Sequence, residues 1–379
     1  MKLFGQRGKR FASLVSLVVL GSMVLAACGS ANSGNGSTSI NGNGGKGCKQ
    51  VGVLLPETAS SARWDSKDKP LLTADIKATL PGATVDYQNA GGDADTQQTQ
   101  ADGALTKGDC ILVVAASDSV KAARIVADAK ADNIPVIAYD RLIQSNDLKY
   151  YVSFDNVMVG SLQGQYIVDH YKDFVKSGVG NVAMIDGSKT DNNAILFAQG
   201  AHSKLDPLFS SGVLKNVYEQ YTPNWDNPTA QTEMEAALTA NANKIQIAYV
   251  ANDGMAATVI AALKAQKLNG HVLVTGQDAT VAGLQNILLG DQSMTVFKDI
   301  SLEAQGTANV VAALSNGTDT ANLTNGATTK TQGGASIPSV LETPQSIDKT
   351  NVMTVVTAGF VTLSDLCAGL PSGTGGICP

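Results

Sequence analysis

From residue 49 onward, short apolar runs alternate with longer segments whose apolar residues recur at helical spacing. The runs are QVGVLLP, ATVDYQN, CILVVAAS, IPVIAYD, YYVSFD, NVAMIDGS, LKNVYEQY, IQIAYVAND, HVLVTGQD and SMTVFKD. Several are apolar over four or more consecutive positions, as strands covered on both faces require. Between them, SVKAARIVADAKADN and GMAATVIAALKAQKLNG read as helices, and the second stops at Asn-Gly. Strands alternating with helices predict an α/β fold built on parallel sheets. About 300 residues of this pattern exceed one sheet of usual size, which predicts two lobes divided near residues 153–156.

The first residues follow another pattern. MKLFGQRGKR holds four basic residues and no acid, and FASLVSLVVLGSMVLAA follows as one apolar segment. That is the layout of a secretory signal, with a single membrane-spanning anchor as the competing reading. LAAC at 25–28 resembles the bacterial lipobox, which predicts a signal peptide over 1–27 and a lipid on Cys28. Residues 28–47, rich in Gly, Ser and Asn, then read as a flexible tether. The expected location is the outer face of the bacterial cell membrane.

Loss of the leader removes four basic residues and leaves 23 basic against 33 acidic, a net charge of −10. With no basic stripe and no helix-turn-helix segment, nucleic acid is excluded as a partner. Apart from Cys28, four cysteines remain, none at zinc-like or CxxC spacing. An even set in an exported chain favours disulfides. Cys48 and Cys110 each open an apolar strand and so share one edge of a parallel sheet. The expected pairs are Cys48–Cys110 and Cys367–Cys378, against the alternative of four buried thiols.

Ligands of open α/β sheets bind beyond the carboxyl ends of the strands. Those ends carry Arg63 and Trp64, Asp140 and Arg141, Asp191 to Asn193, Trp225, Asn252 and Asp253, Asp278, and Lys298. Singly, each has a plain explanation: Asp140, Asp191 and Asn252 as helix caps, Lys298 as a solvated lysine, Trp225 as a local plug. Together they make a pattern. The chain's two tryptophans both lie in these loops, one in each half. Two aromatic faces suit a pyranose ring, while Asp, Asn and Arg each offer two hydrogen bonds to its hydroxyls. Arg63, Arg141 and Lys298 are offset by Asp140, Asp253 and Asp278, a balance that favours a neutral ligand over a phosphate. Asp140 and Arg141 are expected to orient each other.

RW (63–64), IPVIAYDR (134–141), YVSFDNVMVG (151–160), DNNA (191–194), ALTANANKI (237–245), ANDG (251–254), TGQDA (275–279) and MTVFK (294–298) together resemble the type I periplasmic sugar-binding proteins of ABC importers. AYDR with DNNA and the tryptophan loop is similar to the branch that binds D-xylose. The resemblance implies two doubly wound parallel-sheet lobes joined by a three-crossover hinge, with crossings near Asp155, Asp299 and Pro338. The first lobe is then 48–154 with 300–337, the second 155–299 with 338–366, and 367–379 a tail outside the family pattern. Arg63, Arg141, Asn193, Asn252, Asp278 and Lys298 would bond the sugar, Asp140 would assist, and Trp225 and Trp64 would stack on the ring. The implied partners are a monosaccharide, D-xylose first, and an ABC transporter permease. The chain would act as a monomer without cofactor or metal. Two departures stand out: ETASSA before Arg63 lacks expected charges, and FKD replaces an aromatic-lysine-proline run at the hinge.

Two rival functions fit the pattern less well or equally well. The chain has no GxSxG, P-loop or HExxH motif, and its three histidines, His170, His202 and His271, fall in helices or at their ends. An enzyme is therefore not expected. A sensory binding protein, presenting its sugar to a chemoreceptor or sensor kinase, shares every feature above, as does a binder of another pentose or hexose.

Overall fold

A computed structural model describes residues 43–379. The expected signal peptide, Cys28 and most of the expected tether lie outside the described residues. The tether's last five residues do not hang free as expected. Gly44 N–H donates to Asn133 O at 3.0 Å and Gly47 N–H to Ser315 O at 2.7 Å, which lays this segment on the body.

The first sheet is built from β1 (Gln50–Leu55), β2 (Thr84–Asn89), β3 (Ile111–Val114), β4 (Val136–Tyr139) and β5 (Tyr150–Phe154). They run parallel in the order β2-β1-β3-β4-β5. β3 and β4 are buried at every position, which is why their sequences show no alternation. Helices α1 (Lys69–Thr79), α2 (Ala94–Lys107) and α3 (Ala123–Ala131) connect them. Cys48 and Cys110 are bonded where β1 and β3 begin, their Cα atoms 5.5 Å apart.

The second lobe repeats the scheme. Helices α4 (Asn156–Phe174), α5 (Asn192–Ser210), α6 (Asn227–Ala240), α7 (Asp253–Ala265) and α8 (Val281–Leu289) accompany β6 (Gly180–Asp186), β7 (Leu214–Tyr221), β8 (Ile247–Val250) and β9 (Leu273–Val274), ordered β7-β6-β8-β9. β10 (Met294–Phe297) runs beside the chain after β9, with Val296 N–H on Gly276 O and Asp278 N–H on Val296 O. α4 and α5 pack backbone to backbone. A Cβ on Gly160 would lie 1.8 Å from Phe197 O, and one on Gly200 2.1 Å from Val157 O. This contact fixes the start of α5, where site residues lie.

The chain returns to the first lobe through α9 (Ile300–Asn316), followed by β11 (Thr328–Lys330) and β12 (Ser336–Glu342), and ends in the second lobe with β13 (Gln345–Asp348). β12 pairs with β5, Ser339 opposite Tyr151 and Glu342 opposite Phe154, while β13 pairs with β10. The third crossing therefore falls at residues 343–344, not near Pro338. Pro338 sits inside the first sheet opposite Thr328. The polar run TTKTQGGAS and a strand proline, which can donate no ladder bond, hid this extension. Nor is 367–379 a separate tail. Leu366 and Cys378 are buried against Leu284 and Leu288 of α8, and Cys367 is bonded to Cys378. Among the described residues, no helix is long and apolar enough to cross a membrane.

Candidate ligand-binding site

One cavity between the lobes is lined by ten of the twelve strand-end residues named above, Arg63, Trp64, Asp140, Arg141, Asp191, Asn193, Trp225, Asn252, Asp278 and Lys298, with Asn192 and Asp253 outside its lining. The first lobe supplies the loop after β1 and the turn after β4. The second supplies the start of α5, the β7–α6 loop, the ends of β8 and β10, and the loop after β9. Both sets stand beyond the carboxyl ends of their strands.

Arg63 is caged. Its Nε and Nη2 donate to the two carboxylate oxygens of Asp68 at 2.9 and 2.7 Å, Nη1 to Asp140 at 3.0 Å and Nη2 to Glu303 at 3.3 Å. Burial opposes its charge, but Asp68, Asp140 and Glu303 outweigh burial and hold Arg63 protonated beyond its ordinary range. Asp140 shows the converse: burial pushes it up, yet Lys298, Arg63 and Arg141 bring it down to about 2. Lys298 lies 3.2 Å from Asp278 and 3.7 Å from Asp140. Burial works against its charge, and those two acids restore it and raise it above the usual lysine value. Glu303 is the exception, pushed well up by burial and then by Asp140.

Asp140 and Arg141 do not orient each other. Asp140 pairs with Arg63 and Lys298, whereas Arg141 Nε reaches across the lobes to Asp191 at 2.9 Å. A left-handed φ of 56° at Asp140 turns the two side chains apart. Asp253 also leaves the expected balance. It stands behind the cavity, accepting from Gln292 at 2.8 Å, Thr295 at 2.9 Å and Thr280 N–H at 2.8 Å, and burial lifts it to about 7. Asp191 takes its place, so three cations still face three acids across the cavity.

In the second lobe, backbone ends do the fixing. Asp191 caps α5 through Asn193 N–H at 2.9 Å, and Asn252 caps α7 through Met255 N–H at 2.9 Å. The Asn193 amide donates to Asp140 O at 3.0 Å and Oδ1 at 3.1 Å, and accepts from Asn156 at 3.1 Å. Trp225 Nε1 donates to Asp191 at 3.2 Å. Its ring lies on Gly187, where an added Cβ would come within 2.1 Å of it, and meets Phe197 edge-on at 6.3 Å. Trp64 donates to Glu57 at 3.0 Å and carries the Arg63 and Arg141 guanidinium carbons 4.4 and 5.2 Å from its ring centre. It therefore supports both arginines as well as lining the cavity.

Of ten non-glycine residues with left-handed φ among those described, five lie here: Asp140, Asn224, Trp225, Asp278 and Ala279. Such backbone is costly, and its concentration here marks side-chain placement held by the surrounding fold. Sequence reading missed the supporting layer of Glu57, Asp68 and Glu303. It also missed Phe197 and Gln277 in the wall. Phe197 carries the periodicity of a core helix residue, and Asp68 and Glu303 sit in helical segments with no motif around them.

Direct bonds also join the lobes outside the cavity. Ser119 N–H donates to Thr190 O at 2.8 Å, and Gln144 donates to Asn192 at 2.7 Å. The lobes are closed on each other.

Residues 52–319 match the periplasmic binding protein domain. The chain belongs to this family. As a periplasmic binding protein it is 38% identical over 305 residues to the D-xylose-binding periplasmic protein of Escherichia coli (strain K12), covering 80% of this chain and 88% of that one. It is 36% identical over 332 residues to the multiple sugar-binding periplasmic receptor ChvE of Rhizobium radiobacter, covering 82% and 89%. Among solved structures, an ABC transporter solute-binding protein from Clostridium phytofermentans with bound β-D-glucose superposes with a TM-score of 0.74 at 32% identity, covering 84% of this chain and all of that one. This periplasmic binding protein has the type I fold of two parallel-sheet lobes.

Proposed function

We propose that this protein captures a monosaccharide, D-xylose first, between its lobes and delivers it to an ABC transporter permease. It would act as a monomer held by a lipid on Cys28 at the outer face of the cell membrane. The observation carrying this reading is the charge-balanced ring of Arg63, Arg141, Lys298, Asp140, Asp191 and Asp278 around a cavity flanked by Trp64 and Trp225. A neutral polyol suits such a ring. Its hydroxyls accept from the cations and the Asn193 and Asn252 amides and donate to the carboxylates, while its C–H faces meet the indoles.

Every ring member is already paired across or within the lobes, so the sugar inserts among groups held in place rather than ordering them. A sugar touching both lobes binds the closed form better than the open one and shifts the population towards closure. The relatives named for D-xylose and for several sugars support a pentose or hexose ligand. The β-D-glucose in a 32% identical structure makes glucose the direct competitor.

The test is calorimetric titration with D-xylose, D-glucose, D-ribose, L-arabinose and D-galactose. Selective D-xylose binding that disappears in Asp278→Ala supports the reading. Preference for another of the five replaces the ligand, and no heat from any of them rejects it.

A further inference from the structure

A second cavity, of ≈ 460 Å³, adjoins the first. Arg63, Asn252 and Asp278 line both, so a sugar held by these residues borders the second space. Its lining differs in kind. Val281 and Ala282 at the start of α8 face Phe360 and Val361 of the C-terminal segment, with the Ser60 and Ser61 loop at the junction. Arg63, Lys67, Asp278 and Asp365 also reach it, but most of its exposed surface is apolar. This is a chamber with a mostly apolar surface, four charged side chains and several hydroxyls, of a size that takes a small-molecule group.

The wall of this chamber is a built feature. Lys67 of the first lobe donates to Phe360 O at 2.7 Å and lies 5.0 Å over the Phe360 ring, so the chamber closes only when the lobes do. Val361 and Leu366 are buried against α8, and Gln285 of α8 donates to Leu366 O at 3.1 Å and Ala368 O at 3.0 Å. The Cys367–Cys378 bond closes the segment on itself. This wall lies beyond residues 52–319, the part that matches the family.

We infer that the chamber is a second subsite, which takes the ring linked through a glycosidic oxygen to the sugar in the first site. The ligand class is thus a glycoside, either a disaccharide or an aryl glycoside, as well as the free monosaccharide. Both substituents offer what the chamber accepts, a ring with apolar faces. Water against the apolar surface has no partner there, so a ring that covers that surface gains affinity. The inference rests on the first cavity being a sugar site.

The experiment is titration of the protein with D-xylose, xylobiose and 4-nitrophenyl β-D-xyloside, beside Ala282→Trp, which fills the chamber from an exposed position. At least one glycoside is expected to bind within about ten-fold of D-xylose, and Ala282→Trp to weaken it by about ten-fold or more while leaving D-xylose unchanged. Xylobiose binding alone identifies a second sugar as the occupant; the aryl xyloside alone identifies an aromatic ring. Phe360→Ala, which removes the facing wall, should weaken the glycoside in the same direction. If D-xylose binds and both glycosides fall more than about ten-fold below it, or glycoside binding survives Ala282→Trp, the subsite is overturned. If D-xylose itself does not bind, the xylose reading fails. The same comparison is then made with D-glucose, cellobiose and 4-nitrophenyl β-D-glucoside, and absence of glycoside binding there overturns the subsite as well.

Discussion

The two lobes hold their halves of the site by different means. In the first, Arg63 is held by acidic side chains, donating two bonds to Asp68 and one each to Asp140 and Glu303. In the second, Asp191 and Asn252 are held by the free N–H groups of α5 and α7. A caged guanidinium depends on the protonation of its neighbours and on several side chains at once. A helix cap depends on one bond to the backbone and, for Asn252, on no titration. The first half is therefore strong and fragile, the second modest and robust.

Four changes would break or sharpen this contrast, from the largest effect down. Asp68→Ala strips Arg63 of its bidentate partner and leaves a buried cation underpaired, so the unfolding free energy should drop by about 3–5 kcal/mol in urea titration. A drop below about 1 kcal/mol would show that the cage is not what holds the first half.

Acid should act on the first half next. Asp140 is held at about 2 in the folded protein, below the roughly 3.9 of an unfolded aspartate. On acidification the unfolded chain takes up this proton first, so stability is present above about pH 4 and lost as pH falls towards 2, on the order of 2 kcal/mol. Urea midpoints between those limits should fall for the parent and fall less steeply for Asp140→Asn. Equal slopes would remove Asp140 as the source.

The third change probes the second lobe. Asn252→Ala should cost about 1 kcal/mol by loss of the α7 cap, and Asn252→Asp should recover that stability. Ligand affinity should not recover with it, because the aspartate keeps the acceptor and loses the amide donor. Joint recovery would mean that Asn252 serves only the helix. The smallest effect is expected at Glu303, whose carboxyl burial and then Asp140 push well up, towards the neutral form. Glu303→Gln preserves shape and the acceptor for Arg63 and should shift the unfolding free energy by less than about 0.5 kcal/mol.

The same contrast decides what could be read from the sequence. The second-lobe residues lie where an apolar run ends and a helix begins, as in ANDG and DNNA, so strand ends alone pointed to Asn252 and Asn193. Asp140, Arg141, Asp278 and Lys298 were found by the same rule. Their partners were not, because a cage is a tertiary fact. Asp68 follows Arg63 by five residues inside helix, and Glu303 comes 240 positions later. The neighbouring letters of Asp140 and Arg141 suggested a pair, and only the backbone turn shows that each faces another partner. The ten strands β1 to β10 were legible. β11, β12 and β13 were not, since they are short or largely polar and β12 is interrupted by Pro338.

The three crossings also set the kinematics of the molecule. Asp155 N–H is bonded to Glu342 O, and Phe297 pairs with Gln345, so all three threads run side by side. Two bodies joined by one thread can swivel about every axis. Three adjacent threads resist twisting and sliding alike, and leave bending across their common plane as the soft coordinate. If the lobes open and close on a sugar as proposed, each stroke would return Arg141 to Asp191 and Lys298 to Asp140 along the same arc, as the leaves of a door meet their frame.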